Sequence, residues 1–453
     1  MNSFRYSIQK FIVCALLLDA FVSHGQSVTA IAAGYDHTLF VRSDGSLWSA
    51  GINVYGQLGD GTYDDTNLPE MIVPGNVTKV AAGNNFSLFL ENNGSLWGMG
   101  WNSNGELGDG SNNNTNRPEM IVASNVVAIA AGYEHSLFIK RDGSLWAMGR
   151  NSFGQLGDGT GNSTNRPEMI VATNVIAVAA GQAYSLFLTT DGQVWGMGAG
   201  NDGELCDGSY NSYSSPIYIT NGVKAIATGW YHTLLLMTNG SLWAAGNDGY
   251  GQLGNGEFSS PSISTPIEMV KSNVISIAAG DLDSFFIMND GSLWAVGQND
   301  VGQLGDGYTD PNYPNAGTNQ LQKILNGGVV AVSGGNDHTV FIKNDGSLWG
   351  TGVNYGLQPT DGDFYDYSDV PVPIVTVPPA FNKVWLNSIS SGQAVLTFAG
   401  NARRTYALDR SFGIALPAWI PQTTNNTDAS GLLVFTNSFS SKSNYFWRVR
   451  SVP

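Results

Sequence analysis

The chain has 453 residues, 42% of them hydrophobic, with 57 glycines, 2 cysteines and a net charge of −16. That is ample apolar material for a large core, and so few cysteines exclude a disulfide framework. The charge is lopsided, with 11 Lys and Arg against 33 Asp and Glu in residues 27–379 but 7 against 2 in residues 380–453. The acidic part excludes nucleic acid as a partner, since phosphate neutralisation needs the opposite sign.

Residues 1–25 read as an export signal. Arg5 and Lys10 make a positive start, residues 11–22 are apolar apart from Asp19, and Ser23-His24-Gly25 offers small residues before Gln26. The apolar run is shorter than the roughly 20 residues that a membrane span needs. The expected product is secreted, periplasmic or held at the cell surface, with no transmembrane segment after cleavage. Cys14 falls inside the signal, leaving Cys206 as a buried thiol in a slot where other copies have Gly.

From residue 27 onward one pattern recurs seven times. Its marker tryptophans are Trp48, Trp97, Trp146, Trp195, Trp243, Trp294 and Trp349, at spacings of 49, 49, 49, 48, 51 and 55. Such self-similarity marks a repeat architecture. In the third copy, residues 126–132, 135–140, 144–149 and 166–171 read as four strands. An Asp-Gly or Asn-Gly pair between the second and third, as at Asp142-Gly143, predicts a tight primed hairpin turn. The first three strands are nearly continuous apolar runs, so their sheets should be buried on both faces. The expected fold is all-β: a seven-bladed β-propeller of four-stranded antiparallel blades over residues 27–377. Each blade should come from one continuous unit, with the ring closed by packing blade 7 on blade 1.

Gly-x-x-His-(Ser/Thr)-Leu, Asp-Gly-Ser-Leu-Trp and Gly-x-Asn-x-x-Gly-Gln-Leu-Gly-Asp-Gly, recurring together over residues 28–377, resemble the repeat of the regulator of chromosome condensation family. The resemblance implies a seven-bladed propeller. The family's eukaryotic founder is a nucleotide exchange factor for a small nuclear GTPase and binds chromatin, whereas secreted bacterial relatives include β-lactamase-inhibitory propellers. The export signal and the acidity of this chain point away from the nuclear role.

Blade 7 is degenerate, with residues 356–362 replacing the Gly-Gln-Leu-Gly-Asp-Gly string ahead of an acidic, aromatic loop at 363–369. A Pro-rich linker at 371–380 leads to residues 381–453, which read as a small β-sandwich of five strands loosely resembling a fibronectin type III-like module. Its Arg403, Arg404, Arg410, Lys442, Arg448 and Arg450 are candidates to meet an acidic surface, or form a solvated basic face.

His37, His135, His232 and His338 share one slot, occupied by Phe86, Tyr184 and Asp283 in the other copies. Each should bond a nearby backbone group rather than a metal, because ring spacing separates equivalent residues. Asp60, Asp109, Asp158, Asp207 and Asp306 should cap their own turns. With no Ser/His/Asp set, phosphate loop or Cys/His pattern, no catalytic residue, cofactor or metal ligand is assigned.

The copies disagree on one face of the disc, in the loops after strands one and three. There Tyr35, Trp101, Tyr133, Glu134, Arg150, Trp230 and Tyr231 are the candidate binding residues. Tyr55, Phe153 and Tyr250, in a recurring slot, should pack on neighbouring loops. A non-catalytic scaffold recognising a protein partner is the leading reading. Glycan or cell-surface binding comes second, and an enzyme with a channel site or a nucleotide exchange factor comes third.

Overall fold

The computed structural model describes residues 26–309, 317–353 and 367–375, and six strands between residues 384 and 451 by their backbone. The signal, most of the blade 7 loop (with Asp361, Asp363, Phe364, Tyr365 and Asp366), Tyr313 and the side chains of the C-terminal strands lie outside the described residues.

Seven four-stranded antiparallel sheets follow one another, each with strands in chain order. In the first blade the strands are Val28–Ala33, His37–Arg42, Leu47–Gly51 and Thr66–Val73. The others span residues 77–122, 126–171, 175–220, 223–270, 274–325 and 329–375. The second strand of every blade is buried along its length except for its last residue. The fourth is half exposed at the rim. That difference follows from the architecture: inner strands have a blade on either side, whereas the fourth closes the edge.

The core lies between blades. Phe138 and Met148 of blade 3 pack with Leu88, Leu96 and Leu107 of blade 2, and Leu137, Leu145 and Leu156 pack with Phe187 and Met197 of blade 4. Five of the marker tryptophans, Trp48, Trp97, Trp146, Trp195 and Trp294, stack on the Phe of the facing strand, as Trp146 does on Phe138 with centroids 6.1 Å apart; Trp243 faces Leu235 instead.

The Asp-Gly turn differs from the expectation. Only the glycine takes a left-handed conformation, as at Gly143 with φ 81°, and the preceding Asp does not. Lys140 N–H bonds Ser144 O at 3.0 Å while Gly143 N–H bonds Lys140 O at 2.9 Å, which makes a three-residue hairpin with a glycine bulge. The Asp is used for its carboxylate instead. Asp142 Oδ1 accepts from Ser144 N–H at 3.0 Å and from Ser144 Oγ at 2.6 Å, and that hydroxyl in turn accepts from the Trp146 indole at 2.9 Å.

Blade 7 is built from one continuous stretch, and Val28–Ala33 pairs in-sheet with His37–Arg42 of its own blade. The ring closes by packing, with Val28, Phe40 and Ala50 against Val340, Ile342 and Leu348. Val28 N–H to Gly346 O at 2.8 Å and Ala33 N–H to Ser333 Oγ at 3.0 Å add to the closure.

The C-terminal part forms two three-stranded antiparallel sheets, with a sixth strand, Ile420–Asn426, that the sequence reading missed. Its Pro421 and run of Thr and Asn carry no apolar alternation. The compact units are residues 27–375 and, separately, the C-terminal part.

Candidate functional site

The blade junctions explain what the repeated polar residues do. Ser185 Oγ of blade 4 donates to Gln155 O of blade 3 at 2.8 Å, so it must accept from His135 Nε2 at 2.8 Å. This fixes the tautomer: Nε2 carries the proton, and Nδ1 is sealed with no partner. His37 with Ser87 and Gln57 O, and His232 with Ser284 and Gln252 O, repeat the latch at 2.7–3.0 Å. The histidine partner is therefore a hydroxyl of the next blade rather than a backbone group, a correction that came from the unforeseen alignment of Ser87 and Ser185 beside the slot. Burial pushes His37 and His135 down to about 3 and His232 and His338 to about 4, so all four are neutral. In blade 4 the Tyr184 hydroxyl donates to His232 O at 2.5 Å.

The Leu-Gly-Asp-Gly turns are self-capped as expected. Asp158 Oδ1 accepts from Thr160 N–H at 2.9 Å and from Asn151 Nδ2 at 2.9 Å, while Asn151 Oδ1 accepts from Leu156 N–H. Cys206 is buried, its thiol pushed well up by burial, and it holds φ 62° where other copies have Gly.

Against this regular scaffold stands the loop face. The glycine ending each first strand (Gly34, Gly132, Gly229 and equivalents) leaves room for the slot residue of its own blade. In five blades the next residue lines the mouth of the axial channel. The channel cavity, about 280 Å³, is lined there by Tyr35, Asn84, Tyr133, Trp230 and Asp281 from five blades. Below them Ile31, Val80 and alanines of the first strands form apolar walls.

Four of the predicted residues meet at this mouth. Tyr35 of blade 1 stacks on Trp230 of blade 5 at 5.7 Å and 19°. Tyr133 of blade 3 and Tyr231 meet the same indole edge-on at 5.6 and 6.0 Å. Glu134 and Arg150 form an ion pair at 2.5 Å beside Tyr133, which ties the loop after strand one to the loop after strand three. Trp101 stands apart: it packs edge-on against Tyr55 at 4.5 Å, and its Nε1 is sealed without a partner. Tyr55 is thus the packing residue expected, whereas Phe153 in the same slot is exposed.

Sequence reading missed the carboxylates. Asp281 lines the mouth, and Asp36 and Asp337 lie close enough to act on it and on Tyr35. Burial first, then Asp337 and Asp36, raise the Asp281 carboxyl well above the usual range. Burial and the three carboxylates push the Tyr35 phenol up to about 12. Behind them Asp283, in the histidine slot of blade 6, is 1% exposed; no side chain donates to either oxygen, and the nearest donors are the backbone N–H groups of Gly280 and Asp283 itself. The signal was present in the loop pairs Tyr35-Asp36, Asp281-Leu282 and Asn336-Asp337, but their meeting depends on ring closure. Among the described residues no group of three or more His, Cys, Asp or Glu is arranged to hold a metal ion, and no helix is long and apolar enough to cross a membrane.

A family profile described as the RCC1-like domain matches residues 12–315 and 125–408. Human WBSCR16 is similar in structure, with TM-score 0.63, 24% identity, and 75% of this chain and 95% of that one covered. Yeast RCC1 (Prp20), solved bound to Kap60, gives TM-score 0.64 and 22% identity, covering 79% of this chain and 86% of its own. A second structure of Prp20p from Saccharomyces cerevisiae, described with its binding properties to Gsp1p and histones, gives 0.64 and 22%, covering 78% and 88%. No curated protein matches the chain.

Proposed function

The chain belongs to the RCC1-like domain family, and from that premise we propose that it is a non-catalytic scaffold whose loop face receives a protein partner. The observation that carries the reading is the cluster of Tyr35, Tyr133 and Trp230, brought from three alternate blades to one point on the variable face. Aromatic anchors ringed by polar side chains are the chemistry of protein-binding hot spots. Yeast Prp20 is a relative solved with a protein bound, which supports the class of partner and not its identity. Tyr35 and Trp230 each give one ring face to the other, which reduces the ring area open to a stacked sugar, so protein recognition is favoured over glycan binding. The acidity of residues 27–379 supports a partner other than nucleic acid.

We also propose export, on the strength of residues 1–25. N-terminal sequencing of the native protein should begin near Gln26; a chain starting at Met1 would overturn it. The binding reading is tested by pull-down from the native extracellular fraction alongside a glycan array. Trp230→Ala combined with Tyr133→Ala should weaken capture of the partner at least tenfold. Unchanged capture by the double variant removes the proposed face. Guanine-nucleotide exchange assayed directly should show no acceleration.

A further inference from the structure

We propose that Met71, Met120 and Met169 form a site of reversible oxidation on the rim of blades 1–3, where a hydroperoxide converts each thioether to a sulfoxide and leaves the fold intact. In each transfer the peroxide O–O bond breaks and one oxygen goes to sulfur, which is oxidised by two electrons. The hydroperoxide is reduced and leaves as water or an alcohol.

The placement of the sulfurs separates two classes. Met71, Met120 and Met169 occupy one slot of the fourth strand, opposite Trp48, Trp97 and Trp146, and are 54%, 53% and 56% exposed. Met99, Met148 and Met197 occupy one slot of the third strand and are fully buried between blades. Sulfur there has no space for an added oxygen: a Cβ placed at Gly59 would come within 2.8 Å of Met99 Sδ, and one at Gly108 within 2.5 Å of Met148 Sδ. The rim slot is the opposite case. In blades 4–7 it holds Tyr218, Glu268, Lys323 and Pro373, opposite Trp195, Trp243, Trp294 and Trp349, and all four are exposed. A position that carries Glu or Lys in other copies of the same blade accepts a polar sulfoxide without burying it.

The thiol does not compete. Cys206 is buried and held protonated, whereas attack on a peroxide needs the thiolate. Of the other described methionines, Met237 and Met288 are half-buried and Met269 is buried. Among the described residues the rim three are therefore the sulfurs most open to oxidant, and their oxidation turns an apolar arc of three adjacent blades into a polar one.

The test exposes the whole chain to hydrogen peroxide, quenches it at intervals and follows oxygen gain at each methionine by peptide mass spectrometry. Met71, Met120 and Met169 should react at least tenfold faster than Met99, Met148 and Met197, and close to the rate of N-acetylmethionine amide. The triply oxidised chain should keep its circular dichroism spectrum and its urea midpoint, and sulfoxide reductases acting on both epimers should restore the three thioethers. The variant combining Met71→Gln, Met120→Gln and Met169→Gln should fold as wild type and take up three fewer oxygens per chain before unfolding. Equal rates at rim and core overturn the inference, as does a urea midpoint that falls when only the rim three are oxidised. No recovery under the reductases removes its reversibility, and a triple variant that fails to fold shows that the slot rejects a polar side chain, which also overturns it.

Discussion

The junction between blades 3 and 4 and the junction between blades 6 and 7 occupy equivalent places and solve the same problem differently. In the first, His135, Ser185 and Gln155 O form a closed chain in which each polar hydrogen has an acceptor. In the second, Asp283 stands where the imidazole should be, too short to reach across, and the Thr339 hydroxyl opposite it is also left without a partner. The blade 6 carbonyl that would anchor the latch, Gln303 O, is taken by Thr351 at 2.8 Å. The regular junction passes its polar hydrogens from one blade to the next, and the irregular one does not. The irregular junction lies beside the acidic sector of the channel mouth, where Asp281 and Asp337 raise the Asp283 carboxyl further.

The largest expected effect breaks the regular junction. His135→Ala should cost about 2–4 kcal/mol in urea unfolding, since it opens a cavity and strips Ser185 of its donor. The same latches set an acid limit. A histidine held near 3 or 4 in the fold but near its ordinary 6.5 when unfolded takes up its proton first in the unfolded state. The histidine contribution to stability is therefore complete above pH 6.5 and falls as pH drops toward 4, and His135→Ala should flatten part of that slope.

Blade 4 shows a smaller version of the contrast. Gln155 in the blade 3 loop is matched by Glu204, which is buried and pushed up to about 7. The unfolded chain ionises Glu204 near its ordinary 4.5 while the fold resists until about 7, so stability is lost as pH rises through that window. Glu204→Gln should stabilise by roughly 2–3 kcal/mol at pH 8 and by little at pH 4, measured by thermal unfolding at both.

Repairing the irregular junction should come next. Asp283→His restores a neutral donor toward Thr339 and should stabilise by about 1–2 kcal/mol near pH 8. Its advantage should shrink toward pH 4, where protonation already relieves the wild-type carboxyl. No gain at pH 8 would mean that Asp283 has a partner in solution. Cys206→Gly is the smallest change: relieving a positive φ should add about 0.5–1 kcal/mol by the same assay.

Much of the fold was legible because repetition averages out local ambiguity. Seven copies of one pattern specify strand order, blade count and the buried second strand more firmly than any single copy could. The turn type is not legible in the sequence, since Asp-Gly is compatible with two hairpin geometries and the backbone bonds of Lys140, Gly143 and Ser144 separate them. The sixth C-terminal strand was missed because Ile420–Asn426 lacks the apolar alternation that marks a strand.

The candidate site divides the same way. The repeat alone shows that the loops after strands one and three vary, and it singles out Tyr35, Tyr133, Trp230 and Tyr231, because periodicity makes exceptions visible. Only the tertiary structure decided which of them meet. Tyr35 and Trp230 lie four blades apart in the chain and stack across the channel, while Trp101, equally promising on paper, settles against Tyr55. It also decided that Asp36, Asp281 and Asp337 share one electrostatic environment, since closing the ring sets its last blades beside its first. A linear pattern fixes which face of a strand a residue occupies; distance across a closed ring is a property of the closure.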